Sequence, residues 1–105
     1  MEYVLILSTV GKKEDAQTIA NHLVSNRTAA CVNIIPNLES VYMWENKLCQ
    51  ENEFLLMIKT TANNEINVYE YLLDVHPYDT PEIISLPIQN GSKAFLNWIR
   101  ESVKS

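Results

Sequence analysis

A chain of 105 residues, 47% hydrophobic and 20% charged, can bury one core of its own and is too short for two domains. Eight Lys and Arg against thirteen Asp and Glu give a formal charge of −5 with no basic block. Nucleic acid and anionic membranes, which bind first through clustered Lys and Arg, are thereby excluded, and cations stay open as partners.

Tyr3 to Leu7, apolar and closed by Ser8, Thr9 and Gly11, reads as a short buried strand. That run is too short for a signal peptide or a membrane span and no basic segment precedes it, so a cytoplasmic protein is expected. The period then changes. Ala16, Ile19, Ala20, Leu23 and Val24 recur at helical spacing and predict a helix from about Lys12 to Ser25, with Asn26 as its stop and His22 on the solvated side.

A second strand runs from Thr28 through Ile35 and is broken or bulged at Pro36; alternation resumes from Ser40 to Trp44. Glu45, Asn46 and Lys47 form a hairpin tip, and the chain returns from Leu48 to Thr60, so the two arms make a long antiparallel ribbon. A second helix is predicted over about Asn63 to Val75, with Ile66, Tyr69 and Leu73 on one line and Val68, Leu72 and Val75 beside it. Pro77 ends it and pushes His76 just past the last turn. Glu82 to Ile88 is a further strand, and Ser92 caps a final helix that carries Phe95, Trp98, Ile99 and Ser102 on one face.

The order β-α-β, hairpin, β-α-β with right-handed crossovers predicts an α+β, ferredoxin-like βαββαβ sandwich. Two helices then cover one face of a four-stranded antiparallel sheet, with an extended hairpin between strands two and three and an extra C-terminal helix. The strands VLIL and FLLMI are apolar at consecutive positions, so both sheet faces want burial, and the crossover helices cover only one. The short third helix shields part of the other. Copies of the same chain are expected to cover the rest.

The segments AACVNIIP (29–36), VYMWENKLCQENEFLLMIKT (41–60), HPYDTPEIISLPI (76–88) and FLNWI (95–99) resemble the CutA divalent-cation tolerance proteins in order and spacing over nearly the whole chain. The resemblance implies a homotrimer with inward-facing sheets, similar in architecture to the PII signalling proteins. It also implies a part in tolerance to copper and other divalent metals.

Four residues are candidates for metal. His76 is the strongest, since imidazole is a common ligand of Cu and Zn; the same ring could equally serve as the C-terminal cap of the second helix. Glu53 shares a strand face with Leu55 and Met57, an odd place for a carboxylate unless it meets a cation or a partner chain. Asp79 stands where the family often has Glu, and Cys31 offers a soft thiolate, although a small Cys on a strand is usually just buried. Tyr78, Trp44 and Lys59 are expected at a ligand cleft, and Trp44 and Trp98 also suit core or interface anchoring.

Cys31 and Cys49 form neither a CxxC pair nor a disulfide framework and are read as reduced thiols. The nucleophile, phosphate-loop and zinc motifs of common enzymes are absent, so no catalysis is expected. The principal reading is a trimeric protein of metal homeostasis that binds Cu2+ or another divalent ion and needs no organic cofactor. The alternative is a PII-like sensor of a small anionic metabolite or a partner protein in an intersubunit cleft.

Overall fold

The computed structural model describes residues 2–105. The elements are β1 (Tyr3–Val10), α1 (Lys13–Ser25), β2 (Cys31–Trp44), β3 (Lys47–Thr61), α2 (Glu65–Val75) after a 3-10 turn at Ala62–Asn64, β4 (Ile83–Pro87) and α3 (Lys93–Ser102). All strand pairs are antiparallel and the sheet order is β2-β3-β1-β4. This is the split β-α-β arrangement expected, with each crossover helix passing over a strand it does not join.

Alternation along the strands sorts the sheet into two faces. Val4, Ile6 and Val10 of β1 and Leu56 and Ile58 of β3 point to the helices, where they meet Ala16, Ile19 and Leu23 of α1 and Val68 and Leu72 of α2. On the other face, α3 covers one end only, through a smaller cluster of Tyr3, Ala30, Ile99 and Val103. Beyond that end the face stays apolar and open: Leu5 pairs with Leu86 and Leu7 with Ile84, and Ile84, Leu86 and Ile35 are 49%, 42% and 41% exposed.

In α2 the structure reverses part of the expected stripe. Val68 and Leu72 are the buried pair, while Ile66 and Leu73 are 62% and 64% exposed. Apolar residues at 66, 68, 69, 71, 72, 73 and 75 nearly encircle this helix, so periodicity alone did not select the buried line. In α3, likewise, Ile99 is fully buried but Phe95 and Trp98 lie exposed and stacked on each other. His22 faces out as expected, and its ring also stacks flat on Tyr71 with centroids 4.0 Å apart.

The ribbon of β2 and β3 gives the molecule its length, 45 × 25 × 22 Å. Its tip is a two-residue turn at Glu45 and Asn46, both with positive φ, joining the last pair Trp44 and Lys47. Near its base, β2 does not break at Pro36. It bulges there: Ile35 pairs with Leu55, the next pair is Leu38 with Glu53, and Asn37 takes a φ of 63°.

Candidate functional site

The corner after α2 carries the site. Pro77 cannot continue the helix, and the last helical bond runs from the His76 N–H to the Leu72 carbonyl. His76 is then extended, with φ −65° and ψ 134°, which turns its side chain inward. The ring is 9% exposed and used at both nitrogens: Nε2–H donates to the Thr9 carbonyl at 2.9 Å, and Nδ1 accepts the Tyr78 backbone N–H at 3.2 Å. His76 therefore pins the corner to the end of β1 and sets the direction of Tyr78. Its ring lies tilted against that of Tyr78, with centroids 4.8 Å apart.

Tyr78 reaches back over Gly11 to β3, where its hydroxyl donates to Glu53 Oε2 at 2.6 Å. The passage is narrow, since a Cβ on Gly11 would stand 3.2 Å from the Tyr78 hydroxyl oxygen. From the other side, Ser40 of β2 donates to Glu53 Oε1, also at 2.6 Å. Glu53 is 5% exposed, so this is a buried carboxylate held by two hydroxyls and faced by no cation; the single ion pair among the described residues joins Arg100 to Glu2. Two residues along β3, the exposed Glu51 accepts from the Tyr42 hydroxyl. Burial, and next the bond to Glu53, push the Tyr78 phenol well above its usual pKa. The Glu51 bond is the chief cause that pushes Tyr42 up to about 12.

These groups wall a cleft of about 610 Å³ between the hairpin and the corner. Thr9, Ser40, Tyr42, Trp44 and Tyr78 contribute hydroxyls and rings, and Glu51, Glu53, Asp79 and Glu82 contribute four carboxylates. Lys, Arg and His are absent from its lining.

The CutA1 divalent ion tolerance protein family matches residues 4–102. The chain belongs to the CutA1 family. It is 44% identical over 98 residues to the divalent-cation tolerance protein CutA of Thermus thermophilus, an alignment spanning 93% of this chain and 95% of that one. The crystal structure of CutA1 from Oryza sativa superposes with a TM-score of 0.95 at 38% identity, over 99% of this chain and 95% of that one. The CutA of Archaeoglobus fulgidus, described as periplasmic, superposes with a TM-score of 0.93 at 37% identity, over 97% and 99%. Among the described residues no helix is long and apolar enough to cross a membrane.

Against this CutA1 frame the residues singled out from sequence separate. Glu53, Asp79, Tyr78 and Trp44 do come together on the cleft. His76 sits behind the wall, beneath Tyr78. Cys31 and Lys59 lie elsewhere: they pair with each other on the sheet, and six residues along β3 separate Lys59 from Glu53, about 20 Å at strand rise. Lys59 donates to Asn33 and lies near the Phe95 ring, so it does not line the cleft of its own protomer. Sequence reasoning missed Thr9, Glu82, Ser40, Tyr42 and Glu51. Counting back from the hairpin tip would have found the last three, since Ser40 faces Glu51 and Tyr42 faces Cys49 in the ladder.

Proposed function

We propose that this chain serves divalent-cation tolerance as a homotrimer that holds the cation, Cu2+ or another divalent ion, loosely at the acidic cleft, with Glu53 and Asp79 as oxygen donors. The observation that carries the reading is Glu53. A carboxylate 5% exposed, with no counter-charge in its protomer, is costly unless a cation meets it. Two of its roughly four acceptor sites are filled by Ser40 and Tyr78, and the others are open to an ion. Among the described residues no three His, Cys, Asp or Glu side chains converge on one point. One protomer thus offers an incomplete shell, which suits exchangeable binding completed by water or a neighbouring copy. His76, with both nitrogens engaged, supports the site by placing Tyr78.

The apolar strip of half-buried Leu5 and Leu7 and exposed Ile84 and Leu86 supports assembly through the free sheet face. Free thiols at Cys31 and Cys49 suit a reducing compartment, in line with a cytoplasmic protein. The role is binding rather than catalysis. A PII-like role with an anionic metabolite fits this cleft badly, because four carboxylates line it and no basic group does.

Calorimetric titration of Zn2+ and Cu2+ into the purified assembly tests this. Wild type is expected to bind, Glu53→Gln to bind at least tenfold more weakly, and His76→Gln to retain most affinity. Equal binding by wild type and Glu53→Gln would refute the cleft as the cation site.

A further inference from the structure

The cleft is far larger than a metal ion requires. Six waters at about 30 Å³ each make a hydrated ion of about 180 Å³, under a third of the 610 Å³ available. Its carboxylates are also dispersed rather than convergent. Glu53 lies deep, Glu51 is two residues up the same strand face, roughly 7 Å away at strand rise, and Asp79 stands on the corner. The rings of Tyr42, Trp44 and Tyr78 line the same cleft, Tyr42 bonded to Glu51 and Tyr78 to Glu53. Separated anions in one cleft with aromatic rings match a chain of separated cations joined by methylenes: each ammonium meets a carboxylate, and the alkyl segments and flanking charges lie on the π faces. We propose that the cleft binds an aliphatic polyamine, with one ammonium on the buried Glu53, another on Glu51, and the carbon chain laid across Trp44 and Tyr78. This rests on the reading that the cleft attracts cations, and it names a second class of cation for it.

Two features favour a polyamine over a simple attraction of positive charge. Glu53 keeps acceptor sites beyond the two filled by Ser40 and Tyr78, and an ammonium brings up to three donors to them. Trp44, at the outer end of the ribbon opposite Lys47, is 48% exposed and lines the same cleft as the four carboxylates. A small hydrated ion gains nothing from that indole, whereas an alkylammonium does.

The test titrates spermidine into the assembled protein by calorimetry at physiological salt, with Zn2+ and Cu2+ in parallel, for wild type, Trp44→Leu, Trp44→Phe and Glu53→Gln. Spermidine is expected to bind wild type. Trp44→Leu keeps apolar bulk but loses the π face and should weaken spermidine about tenfold, with Zn2+ unchanged; Trp44→Phe should recover most of the loss, and Glu53→Gln should weaken both ligands. Circular dichroism checks folding, and Trp44→Phe carries the comparison should Trp44→Leu not fold, since it should still fall measurably below wild type for spermidine alone. No binding of spermidine by wild type, or equal affinity in wild type and the Trp44 variants, overturns the proposal. Zn2+ binding without spermidine binding removes the polyamine and leaves the metal reading; spermidine binding without Zn2+ or Cu2+ does the reverse; absence of all three removes both.

Discussion

Replacing Tyr78 with Phe keeps the ring in place and deletes one hydroxyl. That hydroxyl is one of only two donors to Glu53, at 2.6 Å, and Glu53 is 5% exposed. A hydrogen bond to a charged group contributes about 1.5–3 kcal/mol, and removing the donor from a buried acceptor forfeits that and leaves the acceptor short. Because Tyr78 is itself half-buried, solvent compensates in part, and the lower figure of about 1.5 kcal/mol applies. In urea, with a slope of about 2 kcal/mol per molar, the unfolding midpoint should fall by about 0.7 M. The assay is far-ultraviolet circular dichroism at one fixed protein concentration, since assembly makes apparent stability concentration-dependent. Tyr42→Phe is the internal control. It removes a bond of similar geometry to the exposed Glu51, where water takes over, and it should leave the midpoint unmoved. An unchanged midpoint for Tyr78→Phe, or an equal fall for Tyr42→Phe, would refute the assignment of Glu53 as a buried charge dependent on its hydroxyl donors.

The same phenol predicts alkaline behaviour. The Tyr78 pKa is raised in the folded chain above the ordinary value near 10, so its contribution is intact below about pH 10 and is lost as pH climbs from there through the folded value. Stability should therefore fall less steeply above pH 10 in Tyr78→Phe than in wild type, and identical slopes would count against the raised value. Leu86→Lys places a charge on the open apolar face at a residue already 42% exposed. Sedimentation should show dissociation to folded single copies, and an unaltered assembly would exclude that face as the interface. Gly11→Ala sets a methyl 3.2 Å from the Tyr78 hydroxyl and should lower the urea midpoint by an amount that shrinks in the Tyr78→Phe background; additive losses would mean the two do not press on each other.

Most of the architecture was legible because long periodic segments carry it. The α1 stripe from Ala16 to Leu23 and the double-sided apolar strands led directly to a helix-covered sheet with an open second face. The site was legible only where local chemistry announced it, at the His76 to Asp79 corner and at Glu53, a carboxylate out of place among Leu55 and Met57. Its remaining members come from registry. Ser40 and Tyr42 belong to the cleft only through their places opposite β3, and Thr9 through its backbone contact with His76. His76 looked like a ligand because imidazoles often are; only three-dimensional packing shows both nitrogens engaged. In α2 the apolar residues outnumber the positions that can be buried, so the sheet decided which line turned inward.

One extra residue at Pro36 and Asn37 has an effect that reaches to the ribbon tip. Before the bulge, the odd-numbered Cys31, Asn33 and Ile35 lie opposite the odd-numbered Lys59, Met57 and Leu55; after it, Leu38, Ser40 and Tyr42 stand opposite Glu53, Glu51 and Cys49. The insertion inverts the parity of β2 while β3 keeps its own, and that inversion is why Ser40, Tyr42 and Trp44 look toward Glu53 and not away from it. A β2 that kept all its residues but ran on without the bulge would set Pro36 opposite Phe54 and Asn37 opposite Glu53, turning all three to the reverse side of the ribbon, with every side chain present and the cleft dismantled.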